Sequence, residues 1–299
     1  MRHALALVLA AGLVVPAFAQ PAAQPAQPAP AAPGGVTVQK ADPSKGIPEG
    51  ATPVEIQVMR KMPWAIPEGA KPVERSERPD GLIIEDFAVG DGPAVQTDWP
   101  VVIHSKGYFK DGTVFDSTYD QAVPIVAPIR SAVAGIRQGL VGMKVGGKRR
   151  LTIPAALAYG EKGSPPPAPG EKPIVPPNTD LVFDITLLDV LQIEDTQVGT
   201  GEEVRPGATV KAHYRGTLKE DGTEFDSSYS RGQPIEFPLR AMVPGWQYGI
   251  PGMKVGGKRK LVVPFAMAYG DRGIPGKIPP RADLVFEIEL VEVKNPPAP

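Results

Sequence analysis

The sequence predicts an α+β protein built as two tandem units, each an antiparallel sheet with one short helix on its face. Three observations predict this. The stretch Gly142-Met143-Lys144-Val145-Gly146-Gly147-Lys148-Arg149-Arg150-Leu151 returns as Gly252-Met253-Lys254-Val255-Gly256-Gly257-Lys258-Arg259-Lys260-Leu261, so the chain is a tandem repeat. Within each copy, several short runs alternate apolar and polar residues with the period of a half-buried strand. One brief segment per copy has helical spacing, and Gly and Pro punctuate the rest, which is the pattern of an α+β unit. A chain of 299 residues suits two domains of roughly 100 to 110 residues, each able to bury its own core.

The elements follow in order. Arg2 and His3, the apolar run Ala4 to Val15, then Pro16 and Ala17-Phe18-Ala19 have the three regions of a secretory signal peptide, residues 1–19. The apolar run is shorter than the ~20 residues of a membrane span, so membrane insertion is not expected. Residues 20–46 collapse to Pro, Ala and Gln and offer little to bury, as a disordered tether would. Residues 47–79 form an extended Pro-rich arm that holds a small repeat of its own. Ile47-Pro48-Glu49-Gly50-Ala51-Thr52-Pro53-Val54-Glu55 returns as Ile66-Pro67-Glu68-Gly69-Ala70-Lys71-Pro72-Val73-Glu74, with Trp64 between the copies as an anchor onto a neighbouring surface.

The first unit spans 80–191 and the second 192–294, with a short linker near Gln192 to Gly199 and a tail at 295–299. Val101, Ile103 and Ser105 alternate with Val102 and His104, as Val210, Ala212 and Tyr214 do with Lys211 and His213. Hairpin turns follow at Asp111-Gly112 and Asp221-Gly222. In the second unit Trp246, Gly249, Ile250 and Met253 share one face of a helix entered through Pro244, and the bare Gly249 lets that helix lie close to the sheet. Gly252 stops it, and Arg259, Leu261 and Val263 alternate with Lys258, Lys260 and Val262 as a strand. Each unit closes on a strand, with Leu181, Phe183, Ile185 and Leu187, or Leu284, Phe286, Ile288 and Leu290, facing in. The first unit carries extra residues in the loop Gly163 to Gly170.

Composition excludes several kinds of chemistry. Lys+Arg is 32 against Asp+Glu 33, so no global field recruits nucleic acid or an anionic membrane. The cluster Lys144, Lys148, Arg149 and Arg150 reads as a solvated sheet face. There is no cysteine, hence no disulfide framework and no thiol chemistry. His104 and His213 fall on outward strand positions without acidic or histidine neighbours at ligand spacing, which argues against a metal site or a Ser-His-Asp centre. No phosphate-binding Gly-rich loop is present. Neither a cofactor nor a metal is expected.

What remains is an aromatic and aliphatic concavity in the second unit. An ordinary aromatic core is the bland reading of Tyr214, Phe225, Phe237, Val243, Trp246, Tyr269, Ile278 and Phe286. Against it stand Asp226 beside Phe225, which would be costly if buried unpaired, and two tyrosine hydroxyls that need partners. An apolar pocket with convergent polar groups is a ligand site by default.

Tyr214 in His-Tyr-Arg-Gly, Phe225-Asp226-Ser227-Ser228, Val243-Pro244-Gly245-Trp246, Gly252-Met253 through Val263-Pro264, Ala268-Tyr269-Gly270, Ile278-Pro279-Pro280 and Asp283-Leu284-Val285-Phe286 together resemble the FKBP-type peptidyl-prolyl cis-trans isomerases. The resemblance covers the second unit fully and the first less so, about two thirds of the chain. It implies a half-open antiparallel sheet, a half-barrel wrapped around a short helix, twice over. It further implies that Trp246 floors a pocket for the substrate proline ring, walled by Tyr214, Phe225, Phe237, Met242, Val243, Ile278 and Phe286. Tyr269 would donate its hydroxyl to a substrate carbonyl, the Val243 amide would be a second donor, and Asp226, steadied by Arg231 and Tyr214, would sit over the twisting imide. Met242, Ile235 and Lys277 depart mildly from the family pattern, and the hairpin before Phe225 is longer than that pattern by one residue.

The first unit keeps Phe115, Asp116, Val133, Tyr159, Val175 and Phe183. It has Ser105 where Tyr214 stands, Gln121 for Arg231 and Ile136 for Trp246. The resemblance therefore implies a degenerate first pocket and an isomerase seated in the second. Expected partners are proline-containing, unfolded or partly folded exported polypeptides, together with the macrolide inhibitors of the family. Expected residence is outside the cytoplasm, in a bacterial periplasm. Two alternatives stay open at this point: a non-catalytic chaperone or scaffold that grips unfolded chains, and a homodimer formed through the amino-terminal arm.

Overall fold

The computed structural model describes residues 65–119, 123–168 and 170–297. The signal peptide, the tether, the arm up to Trp64, and Gln121 lie outside the described residues. The remainder is two antiparallel sheets, each carrying one helix.

The first sheet holds β1 (Glu74–Glu77), β2 (Ile83–Ala88), β3 (Pro100–Phe109), β4 (Val114–Ser117), β5 (Ile125–Pro128), β6 (Lys148–Ile153) and β7 (Leu181–Val190). Their order is β1-β2-β6-β7-β3-β4, with β5 also paired to β3. Helix α1 (Ala134–Leu140) crosses its inner face. The second sheet holds β8 (Gln192–Gln197), β9 (Thr209–Leu218), β10 (Glu224–Ser227), β11 (Ile235–Pro238), β12 (Lys258–Val263) and β13 (Leu284–Lys294), in the order β10-β9-β13-β12-β8, with β11 on β9. Helix α2 (Pro244–Gly249) lies across it.

The inward residues predicted for the closing strands, Leu181, Phe183, Ile185 and Leu187 and their counterparts Leu284, Phe286, Ile288 and Leu290, are all buried, but the alternation holds only in β13, since Val182, Asp184 and Thr186 on the other face of β7 are buried too. The close seating of the helix holds too. A Cβ on Gly249 would come within 2.8 Å of Leu261 Cδ1, and one on Gly245 within 2.4 Å of Val263 Cγ1, so the helix rests on β12 through two bare positions. Gly252 ends it at φ +88°, a conformation only glycine adopts without strain.

Four other sequence readings need correction. The linker near Gln192 to Gly199 is largely β8, an edge strand whose Ile193 packs on the second core. Glu74–Glu77, read as part of the arm, is an edge strand of the first sheet, paired to β2 from Glu74 opposite Asp86. His104 is buried, with Nδ1 3.0 Å from Thr118 Oγ1, because the outer face of β3 is covered in the first repeat. The basic cluster is only in part a solvated face. Arg149 turns inward, grips Asp86 with Nε and Nη2 at 2.7 Å each, and donates to the Gly139 carbonyl at the end of α1.

Arg259 repeats this device in the second sheet, bound to Asp195 at 2.7 and 2.9 Å and to the Gly249 carbonyl at 2.7 Å. A bidentate guanidinium thus satisfies carbonyls left over at the end of a short helix and ties it to a neighbouring strand, β2 in the first sheet and the edge strand β8 in the second.

Candidate active site

The hollow in the second repeat is built on Trp246, which α2 holds against the sheet. Its ring meets Tyr214 edge-on at 5.2 Å between centroids, Phe286 edge-on at 5.1 Å, and Phe237 tilted at 5.0 Å. Phe225 meets Phe286 edge-on at 5.7 Å. These are the geometries that aromatic quadrupoles favour. Room for them comes from Gly216 on β9, which stands opposite both Asp226 and Phe286. A Cβ there would lie 2.6 Å from Phe225 Cζ and 3.0 Å from Phe286 Cε1.

The predicted residues converge. Trp246, Phe237, Phe286 and Ile278 are buried in one core, with Tyr214, Phe225, Met242 and Val243 packed against it. Ile278 is fixed by a reciprocal backbone pair with Ile274, both bonds 2.8 Å. Val243 caps α2 with its carbonyl, accepting from the Trp246 amide at 2.9 Å. Its own amide donates to no acceptor among the described residues, so a ligand carbonyl can take it. Trp246 Nε1 is also buried without a partner.

The polar side of the hollow is a closed triangle. Tyr214 donates its hydroxyl to Asp226 Oδ2 at 2.5 Å, Arg231 Nη1 donates to Asp226 Oδ1 at 2.6 Å, and Arg231 Nη2 donates to the Tyr214 hydroxyl oxygen at 2.8 Å. The Ser227 amide also donates to Oδ1, at 2.9 Å. Burial alone would push the Asp226 carboxyl up, but the hydrogen bonds from Arg231 and Tyr214 and the guanidinium charge outweigh it, and its pKa falls below the ordinary carboxylate value. The Tyr214 hydroxyl is pushed up to about 12, first by burial and then by its bond to Asp226. It stays a neutral donor. Tyr269 follows the short turn Phe265–Met267, half-exposed at the rim, and its pKa is raised by burial and then by the Asp226 charge. Tyr214 thus links the Trp246 ring, which it meets edge-on, to the Asp226 carboxylate, to which it donates.

Sequence reasoning missed Ser228, which is fully buried. Its hydroxyl receives the Tyr214 amide at 2.8 Å and donates to the Tyr214 carbonyl at 3.2 Å, locking the backbone beneath the tyrosine. Thr118 does the same for Ser105. The recurring Phe-Asp-Ser-Ser/Thr-Tyr run was the signal available.

The first repeat keeps the frame and loses the fittings. Val133, Ile136, Val175 and Phe183 are buried in its core, with Phe115 and Tyr159 packed against them. Phe115 meets Phe183 edge-on at 5.6 Å. Ile136 and Ser105 leave a small hollow whose edge is Asp116. No cation reaches Asp116 among the described residues, and burial raises its pKa against one bond from the Ser117 amide, the reverse of Asp226.

Comparison with known proteins fits this geometry. The FKBP-type peptidyl-prolyl cis-trans isomerase family matches residues 92–188 and again 200–291, well over half of the chain. The chain belongs to this family. The FKBP-type chain is 40% identical over 205 residues to peptidyl-prolyl cis-trans isomerase FKBP10 of Homo sapiens, which covers 64% of this chain and 34% of that protein. It thus spans about a third of that relative's length. Peptidyl-prolyl cis-trans isomerase FPR2 of Saccharomyces cerevisiae is 51% identical over 115 residues, covering 38% of this chain and 82% of that protein. Among solved structures, FkpA from Escherichia coli is 47% identical with a TM-score of 0.34, covering 37% of this chain and 50% of that one.

Proposed function

We propose that this FKBP-type chain catalyses cis-trans isomerisation of X-Pro bonds in exported polypeptides, and that the second repeat does the work. The observation that carries this reading is the aromatic hollow floored by Trp246, with a carboxylate held ionised at its edge by Tyr214 and Arg231.

Rotation about an X-Pro bond faces ~18 to 20 kcal/mol because amide resonance must be broken. For turnover of ~1 to 10³ per second the barrier need fall by only about 3 to 7 kcal/mol, and no covalent bond is made. The prolyl ring sits on the indole. Its imide loses water, which favours the twisted, less charge-separated amide. The Tyr269 hydroxyl and the Val243 amide hold carbonyl oxygens, and Asp226 faces the rotating group. The signal-like residues Arg2 to Ala19 support export, with a periplasm as the proposed compartment, and macrolides of the family are proposed ligands of the same hollow.

A second reading, a gripping pocket in the first repeat, is favoured by one observation: the hollow at Ile136 persists while Asp116 lacks the Arg and Tyr that steady Asp226. A refolding-coupled assay on the chain without residues 1–19 tests both. Tyr269→Phe with Asp226→Leu should remove the acceleration and leave suppression of aggregation intact. Tyr159→Phe with Asp116→Leu should leave the acceleration unchanged. Equal loss from the two pairs would overturn the assignment to the second repeat. Light scattering with and without residues 20–80 reports on assembly through the arm.

A further inference from the structure

The outer face of the first sheet carries a cleft that prolyl chemistry does not use. Ile66, Pro67, Glu68, Gly69 and Ala70 pass above Phe87, Lys106, Tyr108, Arg150 and Asp184 and leave about 480 Å³ between. The floor is rigid. Arg150 grips Asp184 at 2.6 and 2.9 Å, Tyr108 donates to Asp184 at 3.1 Å, and the guanidinium lies over the Phe87 and Tyr108 rings at 5.2 and 5.8 Å.

Asp184 is therefore fully answered, which leaves Lys106, its register partner on β3, without a carboxylate among the described residues. Lys148 reaches only the Ala65 carbonyl, at 3.0 Å. The second repeat resolves the same positions differently. Arg215, the counterpart of Lys106, is paired with Glu224 and Glu287, and Lys258, the counterpart of Lys148, with Glu289. Thr217 stands where Tyr108 does. An ammonium with no carboxylate partner among the described residues, that of Lys106, thus stands beside an aromatic floor in the first repeat, and it complements an apolar segment that carries negative charge. A segment of that chemistry already lies there, Ile66-Pro67-Glu68, and its nonapeptide occurs again at 47–55 with only Thr52 for Lys71 differing. In the cleft it is a tight turn, closed by the Ala70 amide donating to the Pro67 carbonyl at 3.1 Å with Gly69 at φ +72°, so the seat suits a Pro-Glu-Gly turn.

We propose that this cleft is a second docking site, which takes a proline-bearing, acidic turn of a client polypeptide, with Ile66–Ala70 as its displaceable resident. The site is independent of the isomerase reading and stands or falls without it.

The test is fluorescence anisotropy on the full chain with a labelled peptide, Ile-Pro-Glu-Gly-Ala-Thr-Pro-Val-Glu. Saturable binding is expected, and it should persist in Trp246→Leu. Lys106→Ala, which removes no partnered group, should weaken it about fivefold, the worth of one exposed charge pair. Loosening the resident with Ile66→Gly and Pro67→Gly should tighten it about tenfold, because an occupied seat lowers apparent affinity by its vacant fraction. Binding that vanishes with Trp246→Leu would put the peptide in the aromatic hollow and overturn the proposal. So would the lack of saturable binding, indifference to both the Lys106 and the Ile66/Pro67 changes, or a chain dimer that the peptide dissociates, which would make a second copy the occupant.

Discussion

Replacing Trp246 with leucine separates what the indole does for the fold from what it does for the reaction. The side chain makes three aromatic contacts, to Tyr214, Phe237 and Phe286, each worth about 0.5 to 1.5 kcal/mol beyond area burial. Its Nε1 has no partner among the described residues, so no hydrogen bond to them is lost. With leucine filling part of the space, the cost is about 2 to 4 kcal/mol. For a domain of this size that lowers the melting temperature by roughly 10 to 25 °C, short of unfolding it at room temperature. The first repeat shows that the frame tolerates an aliphatic floor, since Ile136 occupies the same place and is buried. For the reaction, a prolyl ring resembles a valine in apolar area, worth about 1.5 to 3 kcal/mol when fully buried, and the floor supplies about half of that. A loss of ~1 to 1.5 kcal/mol corresponds to roughly tenfold in kcat/KM. A protease-coupled assay on a short X-Pro peptide, run beside a thermal melt, reads both numbers. A folded Trp246→Leu chain with unchanged kcat/KM would refute the role of the floor.

Removing the guanidinium in Arg231→Leu should move the Asp226 titration upward. A carboxyl with a depressed folded pKa adds stability above its unfolded pKa and loses it as pH falls through the folded one, so both the acid loss of stability and the acid limb of activity should shift to higher pH. Carboxyl-carbon NMR checks this, and an unmoved titration would show that Tyr214 alone sets the value. Gly216→Ala should cost about 1 to 3 kcal/mol, the usual penalty of overpacking, and should depress kcat by pushing Phe225 aside; chemical denaturation and the isomerase assay together test it. Arg259→Met should destabilise by about 2 to 4 kcal/mol, mostly through the orphaned Gly249 and Pro251 carbonyls, because the half-exposed Asp195 can rehydrate. Denaturant midpoints with an unchanged m-value would confirm it.

Much of the fold was legible because alternation and duplication are local signals. Leu181 to Leu187 and Leu284 to Leu290 announce strands, and Gly249 announces a close approach. The edge strands were not legible for the converse reason. Glu74–Glu77 is exposed throughout, and Gln192–Gln197 carries a single apolar residue, so nothing periodic marks either. Arg149 read as surface because its carboxylate, Asp86, lies more than sixty residues away. The aromatic wall of the site could be read from residue types in order. The closed triangle at Asp226 could be suspected only through the family pattern, and Ser228 only through the recurring Phe-Asp-Ser-Ser/Thr-Tyr run, since its work is done on a neighbouring strand's backbone.

Leu191 belongs to both halves at once. Its amide donates to the Pro100 carbonyl of the first sheet at 2.9 Å while its side chain sits wholly inside the second core, and strands end and begin on either side of it. A protease therefore finds no slack at this junction, and limited digestion should spare it.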